Sequence, residues 1–294
     1  MEWHTSDLSA DCLKSVELRL NGKRDTLGMT TALYLGQLFH AAARIWHEDR
    51  AKTVDGCVLA AAPIVEAGAL AEGRPLTPAV VADQSEHWAT VSRWLARYTQ
   101  VYPMYFPDVF PETREVYCEV PIRLTLEVDG EDVEFASHLD CLIISPDGSA
   151  TVLDWKTGAD APTWEYLSRN MQLSLYYLAV KYGRVKIGED WQKLQVEPRV
   201  CWVHVRNLEP YGKKGEYKDG DNVVQYVKGD FRPNHKVFQF VTINNDNAII
   251  DEFATRVRMQ RAGLWPTNPT ETGCFLCESK KYCPQFTGES NGNV

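Results

Sequence analysis

Asp140, Asp154 and Lys156 have residue types and a spacing that could support metal-dependent chemistry. Residues two apart in a β-strand point to the same side, so Asp154 and Lys156 would share a face if residues 151–156 form a strand. Carboxylates bind Mg²⁺ or Mn²⁺ through oxygen, and waters and phosphate oxygens complete the coordination. A metal held in this way could activate a water for attack on phosphorus, while Lys156 orients that water or offsets the phosphate charge.

The hydrophobic pattern predicts the elements that must position these residues. Alternation of apolar and polar residues predicts strands over 115–128, 133–144, 151–156, 199–205 and 236–243. Apolar residues at helical spacing predict helices over 33–49, 85–98, 164–182 and 247–262. The first three strands would form a meander, preceded by a mainly helical region. The mixture of elements predicts an α/β protein.

Two turns determine the register of this meander. The Asp-Gly pair at 129–130 is preferred in two-residue type I′ hairpin loops, and it pairs Val128 with Glu131. The sequence SPDGS at 145–149 suits a three-residue loop, with proline at the second position of a type I turn and glycine at the following left-handed position. Both turns therefore predict antiparallel neighbours.

Counting back from the turns places Glu119 opposite Asp140 and Asp140 opposite Asp154. We expect these three carboxylates to form a row on one face, with neighbouring Cβ atoms about 5 Å apart. The opposite face would be apolar and would carry Val120, Ile122, Leu139, Cys141, Ile143, Leu153 and Trp155. Adjacent carboxylates repel one another, so the row requires protons, hydrogen-bonded cations or metal ions, of which a divalent metal is the simplest.

The order of these residues resembles the D…(D/E)xK signature of the PD-(D/E)xK nucleases, and Thr157-Gly158 after the lysine resembles the RecB-like branch of that superfamily. Two further motifs of this branch have counterparts. GQLFH, which ends at His40, resembles the GxxxH segment, and QLSLY, from Gln172 to Tyr176, resembles the QxxxY motif. The resemblance implies a restriction-endonuclease-like fold with a mixed central sheet flanked by helices.

The same resemblance implies a set of site residues. A bound Mg²⁺ or Mn²⁺ would be held by His40, Asp140, Asp154 and the main-chain carbonyl of Trp155. The catalytic centre would consist of Asp140, Asp154, Lys156, Gln172, Tyr176 and Glu119. Gln172 and Tyr176 share one helical face by their four-residue spacing, and they would contact DNA or fix the lysine.

Cys274, Cys277 and Cys283 form a short-spaced cluster near the C-terminus. Such thiolate clusters bind zinc or iron–sulfur centres, and three ligands in one loop require a fourth from elsewhere. In the RecB-like nucleases that include the AddB and CRISPR-associated enzymes, a distant N-terminal cysteine supplies it, and Cys12 matches that place. The resemblance implies a 4Fe–4S cluster, with Zn²⁺ on the same four thiolates as the alternative.

Composition and charge restrict the classes of function. The net charge of −9 argues against a protein that coats nucleic acid indiscriminately, because such binding relies on a broad basic surface. No apolar run approaches the ~20 residues of a membrane span, and the first residues do not resemble a signal peptide, so we expect a cytoplasmic protein of prokaryotic or phage origin without a membrane partner. No Walker motif is present, which indicates a nuclease unit without a motor.

We expect one domain over 1–294, comprising a mainly helical part (1–112), a nuclease core (113–265), a Cys-rich segment (266–286) and a flexible tail (287–294). The expected function is metal-dependent exonuclease action on single strands or duplex ends of DNA, in recombination, repair or CRISPR spacer processing, with recombination or CRISPR proteins as partners. The alternative is a non-catalytic DNA-end-binding or partner-binding module with the same fold. RNA is a third hypothesis for the substrate.

Overall fold

The meander of three long strands forms the centre of the fold in a computed structural model. The structure describes residues 2–4, 18, 21, 28–106, 115–158, 162–219, 222–264 and 283. Most of the segment 266–294, for which a Cys-rich site and a tail are predicted, therefore lies outside the described residues.

The chain combines helices and strands, as the sequence predicts for an α/β protein. The helices are α1 (Thr31–Glu48), α2 (Val54–Ala71), α3 (Pro78–Ala82), α4 (Gln84–Tyr105), α5 (Trp164–Leu167), α6 (Met171–Tyr182) and α7 (Asp246–Arg261). The strands are β1 (Glu2–His4), β2 (Glu115–Val128), β3 (Glu131–Ile144), β4 (Ala150–Lys156), β5 (Arg184–Ile187), β6 (Asp190–Gln192), β7 (Arg199–His204), β8 (Gly215–Asp219), β9 (Asn222–Tyr226) and β10 (Phe238–Val241). The predicted fold class, a restriction-endonuclease-like mixed sheet flanked by helices, is confirmed.

The central sheet has the strand order β10-β7-β4-β3-β2-β5-β6, and β1 adds to β3. The pairs β4–β7 and β1–β3 are parallel, and the other pairs of this sheet are antiparallel. Side chains of α1, α2 and α4 cover one face of the sheet, and those of α6 and α7 cover the other. The strands β8 and β9 form a separate two-stranded sheet.

Helix α2 is long and rich in apolar residues. By length and composition alone, it is the one helix among the described residues that could cross a membrane. Its buried side chains belong to the same hydrophobic core as those of α1 and α4, and they are Cys57, Val58, Ala61, Ala62, Val65 and Ala69. This side of the helix therefore packs as a core helix does.

The predicted helix over 164–182 is interrupted. It ends at Leu167 and begins again at Met171, where the side chain of Asn170 accepts a hydrogen bond from the backbone N–H of Leu173 at 3.0 Å. An asparagine at this position satisfies an otherwise unpaired donor of the first turn, so it favours a new helix start over a continuous helix. The consequence is that α6 begins one residue before Gln172.

Both predicted turns are present with the expected geometry. Asp129 and Gly130 have φ values of 56° and 79°, and Val128 pairs with Glu131. In the second turn, Gly148 has a φ of 81°, and the N–H of Ser145 donates to the carbonyl of Ser149 at 2.9 Å. Pairs on both sides of Glu119 and Asp140 confirm the register of β2 and β3. The β3–β4 pairs from Ile144–Ala150 to Cys141–Leu153 follow the register predicted from the second turn.

The prediction of a single apolar face is wrong. The α6/α7 side of the sheet holds Val120, Ile122 and Leu139. The α1/α4 side holds Cys141, Ile143, Leu153 and Trp155. Residues two apart in a regular strand share a face of the sheet. Leu139 and Cys141 lie on opposite faces, and so do Cys118 and Val120. The inward and outward alternation of side chains therefore shifts by one residue at each of these two places. Glu119 lies at this shift with a left-handed φ of 52°, and the pairing continues in the same register beyond it.

Gly183, between α6 and β5, permits a close approach of this helix end to β2. A Cβ atom there would overlap the carbonyl oxygen of Arg123 and would lie 2.7 Å from that of Ala179. We expect Gly183→Ala to lower the free energy of unfolding by about 3 kcal/mol, because both obstacles are backbone atoms. Urea unfolding would measure this change. Gly68→Ala, at an exposed position in the last turn of α2, is the matched control and should raise the stability by about 0.5–1 kcal/mol; equal effects of the two changes would contradict this account.

Candidate active site

His40, Glu119 and Asp140 meet where α1 crosses β2 and β3. One ligand atom from each of these side chains lies within 4.8 Å of the others. His40 comes from the middle of α1, and Glu119 and Asp140 come from the point where the alternation of β2 and β3 shifts. That shift turns both carboxylates toward α1, so a local irregularity of the sheet creates the cluster.

Main-chain atoms of Trp155 hold this cluster on β4. The N–H of Trp155 donates to Asp140 Oδ2 at 2.7 Å, and His40 Nε2 lies 2.8 Å from the carbonyl oxygen of Trp155. A carbonyl oxygen only accepts hydrogen bonds, so Nε2 is the donor in this arrangement. His40 Nδ1 then faces Asp140 Oδ1 at 3.6 Å. These contacts join the histidine, the aspartate and the backbone carbonyl that the sequence proposes as metal ligands.

The Asp140 carboxylate of the cluster affects Glu119. Desolvation and the neighbouring Asp140 carboxylate raise the pKa of Glu119, and the nearby His40 and Arg44 partly offset this rise. Such a cluster of negative charge favours a bound cation. The donor set of one imidazole nitrogen and several oxygens is chemically suited to Mn²⁺ or Mg²⁺.

Asp154 and Lys156 form an ion pair beside this cluster. Lys156 Nζ donates to Asp154 Oδ1 at 2.7 Å, and the Asp154 side chain is fully buried. Asp154 Oδ2 is buried without a hydrogen-bond partner among the described residues. Burial raises the pKa of Asp154 to about 6; the charge of Lys156 opposes this shift and that of Asp140 adds to it. Burial alone would lower the pKa of Lys156, but the carboxylates of Asp154 and Asp140 outweigh it and raise that pKa.

The prediction that Glu119, Asp140 and Asp154 form a row on one face of the sheet is wrong. Asp154 precedes Trp155, whose side chain packs on the α1/α4 side, and Asp154 is paired in register with Trp202 of the α6/α7 side. Asp154 therefore lies toward α6, whereas Glu119 and Asp140 lie toward α1. The cluster with His40 does not include it. Residues of the site therefore surround the end of β4 from both faces of the sheet.

Gln172 and Tyr176 lie on the α6 side of this site. Gln172 Nε2 donates to the hydroxyl of Tyr176 at 2.8 Å, as expected for residues four apart in a helix. Burial and the charges of Asp154 and Asp140 raise the pKa of Tyr176 to about 12, so its hydroxyl stays protonated at neutral pH. Tyr176 is also close enough to Lys156 to influence the pKa of that lysine.

A cleft of about 540 Å³ opens from the metal-ligand cluster, and its walls carry Gln37, His40, Arg44, Ile64, Glu119 and Lys156 among others. Sequence reasoning did not identify Gln37 or Arg44. Arg44 follows His40 by four residues and so shares its helical face, which is the signal that could have found it. Gly36 permits α1 to approach β4, since a Cβ atom there would lie 2.9 Å from Thr157 Oγ1.

The cysteine site is described only at one position. Cys12, Cys274 and Cys277 lie outside the described residues, and Cys283 is buried. Of the cysteines predicted to lie in strands, Cys141 and Cys201 are buried in the core on the α1/α4 side, and Cys118 packs against it.

The buried carboxyl of Asp154 should make the stability of the metal-free protein depend on pH. A carboxyl whose pKa is raised by folding stabilises the fold at low pH, and this contribution disappears as the pH rises through the folded-state pKa. Between pH ~4 and ~7 we expect the free energy of unfolding of the wild type to fall by about 2–3 kcal/mol relative to Asp154→Asn.

Urea unfolding in EDTA at each pH would measure this difference. The comparison with Asp154→Asn removes the contributions of other titrating groups that the two proteins share. A difference between the two proteins that stays constant from pH ~4 to ~7 would contradict the raised pKa.

Comparisons with known proteins agree with this geometry. The family described as the PD-(D/E)XK nuclease superfamily matches residues 14–284. No curated protein matches the chain in sequence. Among solved structures, one titled "Crystal structure of SSO0001" is similar over 92% of this chain and 93% of that chain, with 12% identity and a TM-score of 0.32, and this weak likeness adds nothing to the assignment. Because the family match covers most of the sequence, the chain belongs to the PD-(D/E)XK nuclease superfamily.

Proposed function

We propose that this chain is a Mg²⁺- or Mn²⁺-dependent nuclease that hydrolyses DNA phosphodiesters in the cleft between α1 and the end of β4. The observation that supports this proposal most is the meeting of His40, Glu119 and Asp140, with ligand atoms within 4.8 Å of one another. This cluster lies beside the ion pair of Lys156 with the buried Asp154.

The residues present fit a divalent cation. His40 lies 2.8 Å from the carbonyl oxygen of Trp155 and 3.6 Å from Asp140, and the N–H of Trp155 donates to Asp140 at 2.7 Å. Asp154 has a buried oxygen without a hydrogen-bond partner among the described residues. We propose these four groups as ligands, with Glu119 as a further one. A bound metal would polarise the phosphate and lower the pKa of a water nucleophile.

The other residues of the site would position the reacting groups. Lys156 lines the cleft, and its charge would bind a phosphate oxygen or orient the attacking water. The hydrogen-bonded pair of Gln172 and Tyr176 would limit the movement of Lys156 from the α6 side. Arg44, which also lines the cleft, would supply a second positive charge to the phosphate, since guanidinium and phosphate form strong charge-assisted hydrogen bonds.

We propose further that the chain belongs to the RecB-like branch and acts as an exonuclease on single strands or duplex ends. This proposal is supported by the order of the GxxxH, D…DxK and QxxxY motifs in the sequence. Recombination, repair or CRISPR spacer processing would be its setting, and proteins of those systems would be its partners.

Cys12, Cys274, Cys277 and Cys283 are proposed as ligands of a 4Fe–4S cluster, with Zn²⁺ as the alternative. Support for this comes from the sequence alone, since only Cys283 lies among the described residues. Protein purified without oxygen should be brown, with broad absorbance near ~400 nm. A colourless protein with stoichiometric zinc would contradict the iron–sulfur assignment.

An assay on end-labelled single- and double-stranded DNA tests the proposed function. Mn²⁺ should support release of the label from at least one of these substrates, and EDTA should stop it. An equivalent RNA strand in the same assay would reveal a ribonuclease. Tight binding of DNA ends without cleavage under any of these metals would instead support a non-catalytic module and contradict the proposal.

A further inference from the structure

A second cleft, of about 420 Å³, lies at the edge of the sheet away from the metal-ligand cluster. It is formed by β2, β5 and the residues beside them, and it is lined by Arg123, Thr125, Glu134, Tyr182, Gly183, Arg184, Trp191 and Lys193. Neither the family motifs nor the proposed catalytic centre involves any of these residues. The cleft therefore needs a separate explanation.

Three cations lie side by side across this cleft. Arg123 of β2 is directly opposite Arg184 of β5 in the antiparallel ladder. The β5–β6 ladder ends at the pair of Val185 with Gln192, and Arg184 and Lys193 are the residues next to this pair and line the same cleft. Like charges directly opposite each other destabilise a sheet. An anion bound between them would remove this repulsion.

The protein supplies little negative charge to this row. Arg123 has an ion pair with Glu134 at 3.8 Å, in which the two side chains are 48% and 37% exposed. Among the residues that the structure describes, no carboxylate forms an ion pair with Arg184 or Lys193, and both are exposed. Two positive charges of the row thus remain available to a ligand.

Aromatic side chains border the same cations. Trp191 is 37% exposed, and the guanidinium of Arg123 lies 5.0 Å from the centre of its ring. Tyr182 is 51% exposed, and its hydroxyl donates to Asp246, which fixes the ring at the cleft wall. Cations beside accessible aromatic rings are the combination that binds single-stranded nucleic acid, since the cations hold phosphates and the rings stack on bases.

This surface continues from the proposed catalytic centre. Ile122 and Val185 pack on the α6/α7 side, so their neighbours Arg123 and Arg184 point to the side on which Glu119 meets His40. Arg123 follows Glu119 by four residues of the same strand, a separation of about 13 Å. A nucleic-acid strand that extends a few nucleotides beyond the metal would reach this row.

We propose that the cleft formed by Arg123, Arg184, Lys193 and Trp191 binds the phosphate backbone of a DNA single strand whose end occupies the catalytic cleft. The proposal rests on the proposed nuclease function for the identity of its ligand. An acidic peptide would satisfy the cations, but it would not use the exposed ring of Trp191 or the alignment with the catalytic centre.

Fluorescence anisotropy of a labelled 20-nucleotide single strand tests this proposal. The measurement is made in EDTA, so that binding is recorded without cleavage. Near 0.1 M salt, the double variant Arg123→Ala/Arg184→Ala should bind at least tenfold more weakly than the wild type. The slope of log K against log[salt] should also fall by roughly 1–1.5, because two phosphate contacts are lost.

Two further variants separate this effect from misfolding and from net charge. Lys193→Ala changes an exposed side chain without a described ion pair, and it should weaken binding alone with an unchanged circular dichroism spectrum. Lys52→Ala/Lys228→Ala removes the same charge as the double variant from exposed positions elsewhere, and it should bind DNA like the wild type. Equal losses in this control would overturn the proposal.

The remaining outcomes show which of the two proposals fails, DNA binding in this cleft or catalysis at the metal-ligand cluster. Protein that cleaves DNA while the double variant binds it as tightly as the wild type would overturn only the cleft assignment. If the wild type cleaves no DNA but the double variant still loses DNA binding, only the catalytic proposal would be overturned. Displacement of the DNA by polyglutamate at equal charge concentration would show an unspecific acidic-chain site and would also overturn the assignment.

Discussion

Lys156→Ala should cleave DNA about 10²–10³ times more slowly than the wild type at saturating Mn²⁺, because it removes a lysine charge that lines the metal cleft. The Lys156 ammonium lies 2.7 Å from buried Asp154, and two carboxylates raise its pKa, so it is charged throughout the pH range of any assay. A group held in this way stabilises negative charge on phosphate without reorganising during the reaction. Single-turnover cleavage of an end-labelled strand would measure the loss.

Lys228→Ala is the matched control, since it removes the same charge from an exposed position outside both clefts. Its rate should equal that of the wild type. Thermal unfolding of both variants would show whether the loss of the Asp154 partner affects the fold, because an unpaired buried carboxylate is destabilising. Folded Lys156→Ala protein with wild-type activity would remove Lys156 from the mechanism.

Asp140→Asn should weaken Mn²⁺ binding by roughly 10–100-fold and slow cleavage at subsaturating metal. The amide oxygen can still accept the hydrogen bond from the Trp155 N–H, so the local geometry is expected to persist. The charge that attracts the cation is lost, and Asn is a weaker ligand than a carboxylate. Isothermal titration with Mn²⁺ would report the affinity, and the cleavage rate should recover partly at higher metal concentration.

The exposed Asp132 at the β2–β3 hairpin provides the control for this change. Asp132→Asn lowers the net negative charge by the same amount but should leave Mn²⁺ affinity unaltered. If both variants bind Mn²⁺ like the wild type, the cluster of His40, Glu119 and Asp140 is not the metal site.

Much of the sheet could be predicted because turn chemistry is local. The Asp-Gly pair at 129–130 and the SPDGS turn determine the pairing of β2, β3 and β4, and the structure has this register. The orientation of the carboxylates could not be predicted in the same way. It depends on the left-handed backbone at Glu119 and on the matching shift at Asp140, and no residue type in either strand indicates such a shift.

The candidate site shows the same division between local and distant information. His40, Gln172 and Tyr176 could be proposed because short motifs carry them, although the contact of His40 with the end of β4 spans 115 residues of sequence. Arg44 belongs to no recognised motif and was missed. The row of Arg123, Arg184 and Lys193 arises only when the short strands β5 and β6 add to β2, and these strands were too short to be predicted.

Cleavage of end-labelled DNA in Mn²⁺ by the wild type and by Asp154→Asn, at equal concentrations of folded protein, tests the central claim most directly. Asp154 is buried, bonded to Lys156 and adjacent to the metal-ligand cluster, and asparagine retains its size without its charge. We expect metal-dependent release of label by the wild type, absent in EDTA, and a rate at least ~10²-fold lower for the variant. Metal-dependent cleavage at equal rates by both proteins would contradict the claim that this cleft is the catalytic centre.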